Sequence, residues 1–124
     1  MRILEGRVTS GVGNAVTWPI EQIREATGFQ ELVVGTLNVR LNEPYVPWRD
    51  FTFEGGRENI YFERCLLLIG DTKVQALIAR TSMNYWGDWY LEIMAGKGLR
   101  DTYGLQDEYV ILVQVRTDDN KELL

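Results

Sequence analysis

Val33-Val34-Gly35-Thr36-Leu37-Asn38-Val39-Arg40-Leu41-Asn42 is the stretch on which the fold turns. Side chains of a β-strand alternate between two faces. Read as a strand from Gly35 to Leu41, the segment sends Leu37, Val39 and Leu41 into a core and leaves Thr36, Asn38 and Arg40 on the opposite face. A hydroxyl, an amide and a guanidinium in one row suit a hard cation and the phosphates it carries, because Mg²⁺ takes oxygen ligands and keeps several waters. An ordinary amphipathic strand with a polar outer face has the same pattern.

The flanking sequence extends the β reading. Arg2 to Thr9 alternates with Leu4 and Val8 on one face, and Ser10-Gly11-Val12-Gly13-Asn14 reads as a turn. Trp18-Pro19-Ile20 through Thr27 predicts a short helix, with proline in its first turn, Ile20 and Ile23 on one face and Gly28 as its stop. Beyond Pro44 and Pro47, Glu54-Gly55-Gly56-Arg57 predicts a hairpin joining Phe51–Phe53 to Ile60–Ile69. Gly70-Asp71 turns the chain into Lys73–Arg80, and further strands are expected at Trp89–Ala95 and Tyr109–Val115. Between these last two, Gly96-Lys97-Gly98 breaks the pattern and Leu99–Tyr103 forms one helical turn closed by Gly104. Short strands with turns about every ten residues favour a small closed β-barrel of six to eight strands, with one or two short helices, over a parallel α/β sheet. A single barrel domain over 1–117 and a frayed tail over 118–124 are expected.

Composition narrows the function classes. The 124 residues are 45% hydrophobic and 25% charged, as in a soluble globular domain. The first residues, Met1-Arg2-Ile3-Leu4-Glu5-Gly6-Arg7, carry charge where a signal peptide needs a continuous apolar stretch, so a cytoplasmic location is expected. The longest apolar run, Cys65–Ile69, is far too short for a membrane span. The single cysteine, Cys65, lies in that run and reads as a small core residue. The absence of histidine excludes His-dependent triads and Cys/His metal sites. A net charge of −5 with no run of Lys or Arg argues against a nucleic-acid partner.

Four further segments carry candidate chemistry. The small residues of Ser10–Asn14, between a strand and a helix, suit backbone N–H contact with an anion, although the Walker spacing is missing and a plain turn accounts for them too. Tyr85, Trp86, Trp89 and Tyr90 either line a pocket for a flat ring or pack a loop onto the barrel, packing being the usual role of such residues. Glu92, alone in the apolar strand Leu91–Ala95, is either an outward-facing carboxylate or one poised over a pocket. Gly96-Lys97-Gly98-Leu99-Arg100 joins glycines to two cations, a combination suited to phosphate.

Together these segments resemble the archaeal-type CTP-dependent riboflavin kinases, a family of cradle-loop barrels. The resemblance runs through Glu5–Gly13, Thr27-Gly28-Phe29, Gly35-Thr36-Leu37-Asn38-Val39, Arg80-Thr81, Leu91–Ala95, and Leu99-Arg100-Asp101 to Gly104-Leu105-Gln106-Asp107. It implies a Mg²⁺-assisted phosphoryl transfer from CTP, or another nucleoside triphosphate, to riboflavin, giving FMN. By the same resemblance Thr36 and Asn38 would hold the metal. Val12, Gly13, Asn14, Ala15, Val16 and Thr17 would cover the nucleotide, with Lys97, Gly98, Leu99 and Arg100 completing its site. Thr81 and Glu92 would contact the flavin, with Glu92 as the candidate catalytic carboxylate. The family's first loop usually runs Gly-x-Gly-Glu-Gly, then a basic residue and an aromatic; here it reads Gly11-Val12-Gly13-Asn14-Ala15-Val16-Thr17. A non-catalytic flavin- or nucleotide-binding module on the same barrel therefore stands as the alternative.

Overall fold

In a computed structural model of the chain, the described residues are 1–10, 18–33, 36–54, 59–84 and 87–117. Seven strands and two helices follow one another: β1 (Arg2–Thr9), α1 (Ile20–Thr27), β2 (Leu37–Leu41), β3 (Phe51–Phe53), β4 (Ile60–Ile69), β5 (Thr72–Thr81), β6 (Tyr90–Ala95), α2 (Leu99–Tyr103) and β7 (Val110–Val115). Every strand pairing is antiparallel. The order β4-β5-β6-β2-β1-β7 closes when β7 pairs back onto β4, giving a six-stranded barrel. β3 is the extra strand. It pairs with Ile60–Phe62 of β4, whereas β7 takes Leu66–Leu68, so the long β4 has different neighbours at its two ends.

Period-2 alternation builds the interior. Leu4 and Val8 of β1, Leu37, Val39 and Leu41 of β2, and Cys65, Leu67 and Ile69 of β4 share one buried cluster with Ile93, Ile111 and Val113. Cys65 is a packing residue here, its thiol pushed up by burial and out of the reactive range. Gly6 lies in β1 where a Cβ would stand 2.6 Å from Val39 Cγ1 and 2.7 Å from the Arg40 carbonyl oxygen, so only glycine lets β1 and β2 approach this closely.

A second cluster lies outside the barrel wall. α1 begins at Pro19 and ends at Gly28, whose φ of 73° is the left-handed conformation that stops helices. Its Ile23 packs with Leu32 on Ile60, Phe62, Leu77, Ala79 and Met94, and Trp18, Ile20, Phe29, Phe51 and Phe53 close the edges. The segment after α1 is pinned: Arg24 Nε donates to the Leu32 carbonyl at 2.8 Å, and Val33 N donates to the Ala95 carbonyl at 3.1 Å.

The chain after β2 folds against the barrel wall at the Leu41 end. Asn42 Nδ2 donates to Glu5 at 2.7 Å and Tyr45 N to the Asp88 carbonyl at 2.8 Å. Tyr45 Oη lies 2.7 and 2.9 Å from the two carboxylate oxygens of Glu63, and Trp48 N donates to the same carboxylate at 3.1 Å. Glu63 is fully buried. Asp50 pairs with Arg116 and accepts Arg64 N at 3.0 Å, while the Arg116 guanidinium lies 5.1 Å from the Trp48 ring centre.

Observed strand ends fall within a residue or two of those read from the sequence, and the helical turn Leu99–Tyr103 is as read. Among the described residues no helix is long and apolar enough to cross a membrane. Residues 118–124, where a frayed tail was expected, lie outside the described residues.

Candidate functional site

β2 carries the centre of the site on its outward face. Leu37 and Val39 point inward at 3% and 0% exposure, which turns half-buried Asn38 and exposed Arg40 to the other side. Asn38 pairs across the ladders with Thr9 of β1 on one side and Glu92 of β6 on the other. Directly paired residues project from the same face with Cβ atoms about 4.5–5.5 Å apart. Thr9, Asn38 and Glu92 thus form one transverse row of oxygen-bearing side chains. Glu92 is half-buried in the wall, neither fully outward nor withdrawn. Thr36 falls just before β2 rather than inside it, one residue beyond its first position.

A small cleft of about 50 Å³ opens at the start of β2, where inward-facing Leu37, Ile93 and Leu99 line it and the outward row does not. Val33, Thr36, Leu37, Ile93, Ala95, Lys97, Gly98, Leu99 and Arg100 line it. Two segments far apart in sequence are brought together there, Thr36 from the approach to β2 and 97–100 from the link between β6 and α2. Leu99 is buried in the barrel cluster and anchors that link. Lys97 is exposed, its Nζ 5.9 Å from the Tyr103 ring centre.

Arg100 has a second role. Its guanidinium pairs with Asp107 and donates to the Leu105 carbonyl at 3.4 Å. Asp107 also accepts the Ser10 hydroxyl at 2.7 Å. The Arg100 and Ser10 hydrogen bonds hold the Asp107 carboxyl below the usual carboxylate range. Ser10 therefore ties the end of β1 to the segment that carries Arg100. Arg100 and Asp107 are seven residues apart between α2 and β7, and the β1–β7 pairing brings Ser10 to them from the far end of the chain.

Thr81 lies at the end of β5, two residues beyond Ala79, the cross-strand partner of Glu92. Its hydroxyl accepts Asn84 N at 3.3 Å, so it shapes the turn in which Asn84 has a φ of 47°. Arg80 is drawn to Asp88 at 2.9 Å and donates to the Tyr90 carbonyl at 2.8 Å. Trp89 and Tyr90 are 50% and 36% exposed, and Tyr85 and Trp86 lie outside the described residues. Val12, Gly13, Asn14, Ala15, Val16 and Thr17 also lie outside them.

The donor set fits a hard cation of the Mg²⁺ type. Thr36 and Asn38 offer a hydroxyl and an amide oxygen, the Glu92 carboxylate is the direct neighbour of Asn38, and Mg²⁺ needs few protein ligands when phosphates and waters supply the rest. Among the described residues no group of three His, Cys, Asp or Glu side chains forms an all-protein metal cage. No model of a known protein family matches the chain.

Proposed function

We propose that this protein is a riboflavin kinase-like phosphotransferase that moves the terminal phosphoryl group of a nucleoside triphosphate, CTP first among candidates, to the ribityl 5′-hydroxyl of riboflavin, giving FMN in the cytoplasm. The observation that supports the reading most is that Thr36 and 97–100 line one cleft, with Asn38 of the Asn38–Glu92 cross-strand pair two residues further along the chain from Thr36. These positions are distant in sequence. The resemblance gives them to one reaction.

In this reading Thr36 and Asn38 hold Mg²⁺, which when bound neutralises charge on the transferring phosphates. Lys97 and Arg100 attract the phosphate chain, Lys97 from an exposed position and Arg100 from its pairing with Asp107. Glu92 orients the acceptor hydroxyl and takes its proton as the new O–P bond forms and the bond to the departing nucleoside diphosphate breaks. Phosphoryl transfer depends on positioning and electrostatics more than on covalent participation, so few groups suffice. Thr81 flanks the acceptor. By the resemblance, residues 12–17 would cover the nucleotide.

One observation favours the alternative of a non-catalytic binding module. The stretch Asn14-Ala15-Val16 lacks the acid and the cation usual in the family's loop, and Arg100 is already engaged by Asp107. A single variant tests the metal assignment for both readings. Asn38→Ala removes an exterior amide without opening the core, so its urea midpoint should match the parent. Its Mg²⁺-dependent affinity for nucleoside triphosphate should fall at least tenfold in calorimetry, the scale seen when metal-site partners are lost. Unchanged affinity rejects Asn38 as a metal-side residue.

A further inference from the structure

Two arginines face each other on the same outer wall. Arg7 of β1 and Arg40 of β2 are direct cross-strand partners, one step along the outward face from the Thr9–Asn38 pair. Both are exposed. Like charges placed directly opposite destabilise a sheet. The fold meets this cost with Glu108. Its main chain adopts a φ of 72°, a conformation that non-glycine residues rarely take, and its amide is fixed by donating to the Val8 carbonyl at 2.7 Å. From there its carbonyl oxygen accepts Arg7 Nη1 at 3.2 Å and its carboxylate takes Arg40 Nη2 at 3.3 Å. Tyr90, the other neighbour of Arg40, is exposed beside them.

The geometry points to Arg7 and Arg40 as an anion subsite for the far end of a polyphosphate ligand, with the Glu108 carboxylate as the internal anion that the ligand displaces. Three features carry this. Two guanidiniums side by side present a broad fork of donors, and guanidinium matches phosphate oxygens bidentately. The Glu108 pairing is solvent-exposed on both sides, at 45% and 61%, and such pairs contribute little, so a more highly charged phosphate displaces it readily. The position is also right. One two-residue step along a strand is about 6.6 Å, so the Arg7–Arg40 pair stands one such step from Asn38, on the side away from Lys97 and Arg100. A ligand whose phosphates meet Asn38 would reach the Arg7–Arg40 pair with the far end of its phosphate chain.

The inference deepens the proposed nucleotide site and rests on Asn38 being its centre. It adds where the far end of that ligand's phosphate chain rests. Calorimetry of the full chain with Mg²⁺ and inorganic phosphate, pyrophosphate or tripolyphosphate tests it. Affinity should rise at least tenfold from phosphate to tripolyphosphate. The double variant Arg7→Gln, Arg40→Gln should lose at least tenfold for tripolyphosphate, with a shallower salt dependence. Arg7→Lys, Arg40→Lys should retain most of the binding, and Glu108→Gln should bind tripolyphosphate severalfold more tightly. Parent-like tripolyphosphate affinity in the Gln double variant, or weaker binding in Glu108→Gln, overturns the subsite. Because no flavin enters this titration, loss of riboflavin phosphorylation would refute the kinase reading without touching the subsite, and the reverse holds equally.

Discussion

Asp50→Ala should cost about 3–5 kcal/mol of folding free energy, the penalty of stranding one member of a buried ion pair. The Asp50 and Arg116 side chains are only 8% and 10% exposed, and Asp50 also accepts the Arg64 amide at 3.0 Å. Without the carboxylate, Arg116 loses its buried ion-pair partner and the Arg64 backbone N–H loses its acceptor. Replacing both partners by apolar residues of similar volume, Asp50→Leu with Arg116→Met, should cost far less, since the charge is then absent and not stranded. Urea unfolding reads both variants, with the midpoint moving while the slope stays constant. A loss below about 1 kcal/mol for Asp50→Ala, the value expected of a surface pair, would mean that the ion pair is effectively solvated.

The second large effect is a pH dependence set by Glu63. Burial raises its pKa from the ordinary 4.5 to about 7, against the opposing pull of the Tyr45 and Trp48 hydrogen bonds. The native state therefore holds a proton that the unfolded chain releases. A raised native pKa gives stability that is complete below about pH 4.5 and is lost as pH climbs to about 7. At 1.36 kcal/mol per unit, the loss is about 3 kcal/mol. The urea midpoint should accordingly fall between pH 5 and pH 7.5, and Glu63→Gln should remove most of that fall. Tyr45, raised by burial and by Glu63, stays protonated throughout and remains a donor. A parent and a Glu63→Gln variant with parallel pH profiles would assign the dependence to other groups.

The parts of the fold legible in the sequence are those governed by local rules. β1 and β2 face water on one side and the barrel interior on the other, so their alternation reports burial directly. Pro19 and Gly28 mark α1 because one fits the helix start and the other its left-handed end. The ends of β4 are as read, but its alternation does not report burial. Its first half is covered on both faces, by the interior and by α1 with β3, so Ile60 and Phe62 are as buried as Cys65 and Leu67. Within it, Glu63-Arg64 looks like an exposed charge pair, whereas Glu63 is fully buried because Tyr45 and Trp48 arrive from a separate loop to satisfy it. Trp89 and Tyr90 mislead in the opposite direction, as large rings left exposed.

The candidate site divides along the same line. Period-2 spacing alone puts Asn38 outside with Leu37 behind it. That Asn38 stands opposite Glu92, that Thr36 meets 97–100, and that Ser10 reaches Arg100 through Asp107 depend on which strands are neighbours in the closed barrel. The Arg7–Arg40 pair is of this kind too, since only the β1–β2 register makes neighbours of residues from two separate segments.

The proposed activity is tested most directly by incubating the full chain with riboflavin, Mg²⁺ and each of the four ribonucleoside triphosphates in turn, and following FMN by chromatography. FMN should form with CTP above the other three, depend on Mg²⁺, and fall at least tenfold in Asn38→Ala at equal protein concentration. Riboflavin or FMN binding with no FMN formed from any triphosphate would contradict the transferase and leave the binding module. Binding of neither flavin nor nucleotide would confine the resemblance to the barrel itself.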